Sequence, residues 1–392
     1  MATLTSAAPD TSWRSRAAVL ASGTFVVGTD AFVISGVLPS VSGSLHVSLA
    51  AAGQLITVFA LSYALLAPVL GTLTARWSRP AVLVAALGVL AVGNAVTALG
   101  TAYGMVLAAR VIAAAGAALY TATASATAAT LAGEAHRGKA ISIVVLGTTS
   151  SLVLGAPLGT AVGEALGWRA TLWCVAALAL VIAPVVALAL PRIRIDAPTG
   201  LRARLAPLRD RRILGVLLIT LVSFVGIYIP YSYIAAVFAP ATATGGPLSV
   251  LILAFGIAGT AGNLTAGRAA DRRGPRTVLI AALSALVVVF AVMPALRGAF
   301  APALVITVVS GFFSFCITTP QQHMIVARAS DGTRALVTAL YQSAAYLAVA
   351  LSGAVGAAGL DIAGAGGLPW IAAALVLAAL VLTVVTGRAP RR

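Results

Sequence analysis

The chain has 392 residues, of which 60% are apolar and 9% charged, and its mean hydropathy is +1.06. That composition leaves too little polar surface to solvate a globule, so a water-soluble body is excluded and lipid is the expected solvent. A net charge of +16 on such a chain is accounted for by topology and by anionic lipid headgroups, so a nucleic-acid partner is not expected.

In hydrocarbon every backbone amide must be paired within its own segment or in a closed barrel. Apolar runs near 20 residues fit helices, and alternating strands of about ten residues do not fit them. The expected fold is therefore an all-α membrane protein. Interruptions in the apolar runs predict about twelve transmembrane helices, at 17–39, 50–73, 80–100, 104–130, 139–163, 169–190, 213–238, 247–269, 277–295, 301–327, 335–358 and 367–386. Residues 1–190 form one six-helix bundle and 213–392 a second. The basic segment 191–212 between them, with Arg192, Arg194, Arg202, Arg204, Arg209, Arg211 and Arg212, reads as a tether.

The first run follows Arg14 and Arg16 and has no small-residue cleavage site before the next span, so it is expected to stay as a helix. Placing both termini in the cytoplasm puts every Lys and Arg except Arg110, Arg169 and Arg297 on that side, which fixes the orientation. Within helix 1, Asp30 sits in Phe25-Val-Val-Gly28-Thr29-Asp30-Ala-Phe32. A carboxylate there costs about 2.5–3.5 kcal/mol to insert, so it must face a cavity, hold a proton or pair with a cation. Arg110 in helix 4 is the natural partner. Counting about 1.5 Å per residue from Pro39 and from Gly104 puts the two at similar depth, roughly 13 and 9 Å below the outer boundary.

Thr121 and Ser125 continue the face of Arg110. The turn holding Glu134, His136, Arg137 and Lys139 reads as a topology anchor. In helix 5, Gly147, Ser151, Gly155, Gly159, Gly163 and Gly167 recur every four residues, a side-chain-free stripe with Pro157 inside it. Gly155, Pro157, Gly159 and Gly163 are the candidate hinge or seal. Gly256, Gly259, Gly262 and Ala266 give helix 8 a small face of its own, expected to meet helix 5 between the halves. Glu164 and Asp361 fall at outer helix ends, where solvated or capping roles are expected.

Helix 7 carries Phe224, Tyr228 and Tyr231 at i, i+4 and i+7, an aromatic face with phenol groups that suits packing or an amphipathic ligand. Helix 10 carries Thr318, Thr319, Gln321 and His323 around Pro320, which frees backbone carbonyls. Gln342 and Tyr346 share a face of helix 11. Cys174 and Cys316 lie in apolar stretches without ligand spacing, so neither a metal nor a disulfide is expected. No phosphate-binding G-x-x-x-x-G-K-[ST] loop and no nucleophile and base cluster occurs, so an enzyme is not expected and energy must come from a gradient rather than a cofactor.

The chain is also internally doubled. Gly71-Thr-Leu-Thr-Ala75-Arg76-Trp-Ser-Arg79-Pro80 has a counterpart 196 residues later in Gly267-Arg-Ala-Ala-Asp271-Arg272-Arg-Gly274-Pro-Arg276. Both copies resemble the loop signature G-x-L-a-D-r-x-G-r-k of the major facilitator superfamily, and the whole chain is similar to that family's twelve-helix drug:proton antiporter branch. The first copy departs at Ala75, Ser78 and Pro80, while the second keeps Asp271, Arg272, Gly274 and Arg276. Gly71, Arg76, Arg79 and Gly267 complete the implied conformational switch. The stretch Gly155-Ala-Pro157-Leu-Gly159-Thr160 is similar to the antiporter signature, and Arg110 to Gly116 to the helix 4 signature R-x-x-x-x-x-G, a position associated with proton coupling.

The resemblance implies a central cavity lined by helices 1, 4, 7 and 10, with Thr121, Ser125, Phe224, Tyr228, Tyr231, Thr319, Gln321 and His323 on it. It further implies a monomer in the bacterial inner membrane that exports a small, drug-like molecule in exchange for protons, with Asp30 and Arg110 as the coupling pair. A sugar or nucleoside exporter is the alternative within transport, and a receptor or scaffold that kept the fold is the alternative outside it.

Overall fold

Eleven helices long and apolar enough to cross a membrane are present among the described residues of the computed structural model, which are 12–74, 76–191, 193, 206–329 and 334–386. No strand occurs among them. The helices are α1 (Ser12–Leu45), α2 (Leu49–Leu73), α3 (Arg79–Leu99), α4 (Tyr103–Gly133), α5 (His136–Leu166), α6 (Trp168–Ala189), α7 (Arg211–Ser232), α8 (Leu248–Arg273), α9 (Pro275–Leu296) and α10 (Phe300–Val326). The last is Arg334–Thr386, whose 53 residues are too long for one crossing of a core about 30 Å thick. Gly364 divides it, so that α11 is 334–363 and α12 is 365–386, and twelve crossings result.

Gly364 has φ 65° and ψ 177°, and Gly133, between α4 and α5, has φ 66° and ψ 176°. That region is open to glycine alone, so each residue reverses the chain without a loop. The expected gap 359–366 is therefore helical up to Gly364. Elsewhere the helices outrun expectation. α1 continues through Pro39 to Leu45, because a proline so near the end frees only the Ser35 carbonyl. α7 stops earlier than expected, at Ser232, and the chain continues in two short turns, Ile234–Val237 and Ala239–Thr242.

Side chains sort as lipid demands. Leu65, Leu158, Leu180, Val181, Leu188, Val288 and Val305 are exposed on the outer flanks, while Thr24, Thr97, Thr220 and Thr383 are buried and donate their hydroxyls to helix carbonyls, as Asn94 does its amide N–H. The arginine-rich turns lie at one end of the molecule, called here the basic end. At the opposite end Arg169 donates to Ser44 Oγ at 2.7 Å and to the Gly100 carbonyl at 3.0 Å, and Arg297 donates to the Val237 carbonyl at 3.3 Å. Both arginines close turns there. Of the segment 191–212, Arg192, Arg194, Arg202 and Arg204 lie outside the described residues, and Asp210 caps α7 by accepting the Arg212 N–H at 2.7 Å.

The glycine stripe of α5 packs differently from expectation. A Cβ on Gly155, Gly159 or Gly163 would run into Thr29, Val33 or Val37, so the stripe seats α5 on α1 inside its own half. The contact with α8 lies beside it, where a Cβ on Gly256 would come 2.7 Å from the Leu152 carbonyl oxygen and 2.9 Å from Val153 Cα. Gly259 and Gly262 meet Phe315 and Phe312 of α10 instead. The cause is local. Pro157 cannot donate to residue 153 and its ring crowds that carbonyl, and the turn Ser151–Gly155 widens into a π-helix, with the Ala156 N–H reaching back to Ser151. The bulge presents bare backbone to Gly256.

Candidate functional site

Asp30 and Arg110 are both fully buried. Arg110 Nη1 donates to Asp30 Oδ1 at 2.7 Å, and Nη2 makes a longer contact of 3.4 Å to the Asp30 backbone carbonyl. α1 and α4 lie side by side, which brings the two depths together. The pair is one-pronged. Asp30 Oδ2 and Arg110 Nε are buried without a hydrogen-bond partner. The face of the guanidinium is covered by the Phe59 ring of α2, 4.2 Å from centroid to Cζ.

Toward the basic end of the same α4 face, Thr121 is half-buried and lies against the Tyr63 hydroxyl, and Ser125 is half-buried one turn further. The Tyr63 ring stacks on Tyr346 of α11 at 3.9 Å, so the two halves touch aromatically here. The helix 7 face forms a continuous aromatic row, with Phe224 stacked on Tyr228 at 5.7 Å and Tyr228 edge-on to Tyr231 at 6.1 Å. Phe32 of α1 meets Tyr231 at 6.1 Å across the halves, and Tyr341 of α11 meets Phe224 at 6.4 Å. The row is closed in this conformation. Tyr231 is buried, and its hydroxyl has no partner although Thr307 and Ser310 line the small void beside it.

The helix 10 residues do not share one cavity. Gln321 is buried and ties three helices, donating to Ser223 of α7 at 3.0 Å and accepting from Tyr341 of α11 at 3.4 Å. Thr319 donates to Asn263 of α8 at 2.7 Å, and His323 is exposed. Two residues along a helix turn the side chain by about 200°, so Thr319 and His323 face away from Gln321. Sequence reasoning missed Phe59, Tyr63 and Ser223, single residues in apolar runs whose meaning depends on the helix they face. Of the helix 11 pair expected to share a face, Tyr346 meets Tyr63 and Gln342 is exposed, and Tyr341 takes the buried place beside Gln321.

The two copies of the duplicated turn diverge. Gly274 takes φ 82° and ψ 143°, a conformation that favours glycine, whereas Ser78 sits at φ −65° and ψ 140°, open to any residue. Ala75 lies outside the described residues. Asp271 and Arg272 are exposed, and among the described residues no hydrogen bond or ion pair joins them. Arg276 donates to the Val384 carbonyl at 3.0 Å, which places a cation on the last turn of α12. Arg76 is exposed and Arg79 buried, its backbone N–H bonded to the Ile193 carbonyl at 2.9 Å. Neither Gly71 nor Gly267 is a close-approach position, since a Cβ there would meet nothing within 4 Å in the first case and only Thr319 at 3.8 Å in the second. Beyond α10, burial first and the like charge of Arg212 second pull the Arg328 guanidinium below its ordinary value, with Asp210 opposing.

Opposite the basic end the halves are locked together. Glu164 at the end of α5 accepts the Leu248 N–H at 3.0 Å and the Ser249 hydroxyl at 3.2 Å. The Tyr233 hydroxyl, which a Cβ on Gly53 of α2 would strike, donates to the Gly353 carbonyl of α11 at 2.7 Å.

Comparison with known proteins agrees with this architecture. The family model described as Major Facilitator Superfamily matches residues 20–242 and 214–392. The chain is 32% identical over 367 residues to the uncharacterized MFS-type transporter YbcL of Bacillus subtilis (strain 168), covering 93% of this chain and 94% of that one. It is 31% identical over 360 residues to the chloramphenicol resistance protein of Streptomyces lividans, covering 91% and 87%. Among solved structures, the nucleoside transporter NupG superposes with a TM-score of 0.78 over 96% of this chain and 100% of that one, at 13% identity, a likeness of fold alone.

Proposed function

Because the chain belongs to the Major Facilitator Superfamily, we propose that it is a secondary transporter of the bacterial inner membrane that exports a small amphipathic aromatic compound in exchange for protons. Asp30 is the proton-carrying group and Arg110 its countercharge. The observation that carries this reading is the buried Asp30 carboxylate, with Oδ1 on Arg110 at 2.7 Å and Oδ2 on nothing. A buried ion pair is a poor source of stability, because desolvation consumes most of the Coulombic gain. Its retention in hydrocarbon points to use. The guanidinium balances the carboxylate while it is in place, and the free oxygen is the position that carries the proton when the guanidinium withdraws.

The cargo class follows from the surfaces that meet between the halves. Phe32, Tyr63, Tyr228, Tyr231 and Tyr346 offer aromatic faces, and the carboxylate two residues before Phe32, that of Asp30, is taken up by Arg110. With the opposite end closed by the Glu164 bridge and by Tyr233 packed on Gly53, the described conformation is the one expected to open toward the basic end, which the arginine distribution assigns to the cytoplasm, with both termini. Cargo enters there, the halves rock about α1, α5 and α8, and the lock at the far end breaks to release it.

The name of the Streptomyces lividans relative makes chloramphenicol the first probe, followed by a panel of aromatic amphiphiles. Accumulation is measured in cells lacking background pumps, with and without an uncoupler, for the wild type, Asp30→Asn and Arg110→Ala. Export that collapses with the uncoupler and in both variants is expected. Extrusion indifferent to the uncoupler overturns proton drive, and undiminished export in both variants removes the pair from the mechanism.

A further inference from the structure

Phe59 sits buried on α2 with its ring 4.2 Å from the Arg110 Cζ. A guanidinium within about 6 Å of an aromatic face is drawn to the ring quadrupole, most strongly where water is excluded. Water is excluded here, since Asp30 and Arg110 are both fully buried. Asp30 engages Nη1 closely and Nη2 only at 3.4 Å, and Nε has no partner. The ring thus covers the face of the arginine that the carboxylate leaves bare and fixes the plane in which the fork meets Asp30.

The contact belongs to a helix that also touches the other half. One turn beyond Phe59 on the same side of α2, Tyr63 stacks on Tyr346 of α11 at 3.9 Å and lies against Thr121 of α4. Two residues before it, on the far side, Thr57 packs directly on Gly353 of α11. A Cβ on Gly353 would strike Thr57 Oγ1 and come 3.2 Å from the Thr57 backbone nitrogen. Between Thr57 and Tyr63, then, α2 meets α11 twice, through Thr57 on the face away from the buried arginine and through Tyr63 one turn beyond Phe59 on the arginine's own face.

We infer that Phe59 is a positioning residue, holding the Arg110 guanidinium on Asp30 while α2 is seated on α11 and releasing it when α2 moves against α11. The inference rests on the reading of Asp30 and Arg110 as the coupling pair, and it names the part that ties their ion pair to the motion of the halves.

The test is a mutant cycle on the full-length protein in lipid nanodiscs. Spin labels are placed at the exposed positions Gly43 and Ile362, with the exposed Cys174 replaced by serine. The labels report separation of the halves at the end opposite the basic one, and Asp30→Asn stands in for the neutral acid. With Phe59 present, Asp30→Asn is expected to shift the open-to-closed ratio by about fivefold or more, and with Phe59→Leu by less than about twofold. Phe59→Trp, which keeps an aromatic face, retains the full shift. A general loss of packing would lower stability without erasing the dependence on Asp30, and Phe59→Met carries the same comparison if the leucine variant does not fold.

An Asp30→Asn shift of equal size with Phe59 and with Phe59→Leu overturns the inference, as does the absence of any shift in the wild-type background. Failure of the transport reading is separate. Chloramphenicol export that survives Asp30→Asn in cells strikes the coupling role of Asp30, whereas the label distances alone judge the ring.

Discussion

The Glu164 carboxylate accepts the Leu248 backbone N–H at 3.0 Å, so the last turn of α5 in one half caps the first turn of α8 in the other. Helix N-termini carry unpaired N–H groups and a partial positive charge, and a carboxylate satisfies both. This cap differs from an ordinary one in spanning the two bundles, so its strength is spent on keeping one end closed. Losing a cap costs about 1 kcal/mol, or roughly a fivefold change in an equilibrium. Glu164→Ala is accordingly expected to shift the halves about fivefold toward separation at that end, read by the labels at Gly43 and Ile362. Glu164→Gln, whose amide oxygen still accepts, should shift them by less. Equal distributions in all three proteins would mean that the contact does not bias the halves.

The duplicated turns make opposite predictions for one type of exchange. Gly274 holds φ 82°, where any Cβ is strained, and Ser78 in the first copy holds φ −65°. Gly274→Ser should destabilise the purified protein by about 1–3 kcal/mol, while Ser78→Gly should cost only a few tenths, since Ser78 makes no side-chain cap to lose. Thermal unfolding in detergent decides it. Similar losses in the two variants would contradict the backbone account.

These turns also show how far the sequence could be read. At matched positions the turns at Gly71 and Gly267 share only that glycine and Arg76 with Arg272, so the doubling was legible from their equal placement between apolar runs and not from residue identity. The pairing of Asp30 with Arg110 was legible too, because a charge in hydrocarbon has few ways to be satisfied and depth can be counted along a helix. Rotation about the helix axis was harder to read. The stripe from Gly155 to Gly163 looks like an interface between halves, yet it seats α5 on α1, because the π turn at Ser151–Gly155 presents other backbone to α8. Thr319, Gln321 and His323 look like one polar patch in the sequence, and the helix spreads them over opposite faces. Phe59 gave no signal, since a phenylalanine in an apolar run gains its role only from the arginine opposite.

Glycines that look alike in the sequence separate by what a methyl would meet. At Gly256 it would press on the Leu152 carbonyl oxygen at 2.7 Å and on Val153 Cα at 2.9 Å, both backbone and unable to swing aside. At Gly71 it would meet nothing within 4 Å. Gly256→Ala should therefore cost about 1–3 kcal/mol through overpacking and reduce export by weakening the contact of α5 with α8. Gly71→Ala should be neutral or stabilise by about 0.5–1 kcal/mol through helix propensity. Unfolding midpoints measured side by side settle the comparison, and a neutral Gly256→Ala would show that the two helices are free to part.

The ion pair itself can be asked whether it serves stability or transport. Arg110→Met leaves Asp30 buried without a countercharge, and breaking such a pair costs about 3–5 kcal/mol when the remaining group stays ionised. Removing both charges by Asp30→Leu with Arg110→Met leaves only packing, and such replacements are often neutral or stabilising by about 1–4 kcal/mol. The single variant should therefore unfold earlier, and the double variant should regain most of the loss while remaining unable to export against a gradient. Stability is read from unfolding in detergent at neutral pH and transport from accumulation in cells. A double variant as unstable as the single one would make the pair a structural tie between α1 and α4. A double variant that still exports would move the proton to another residue.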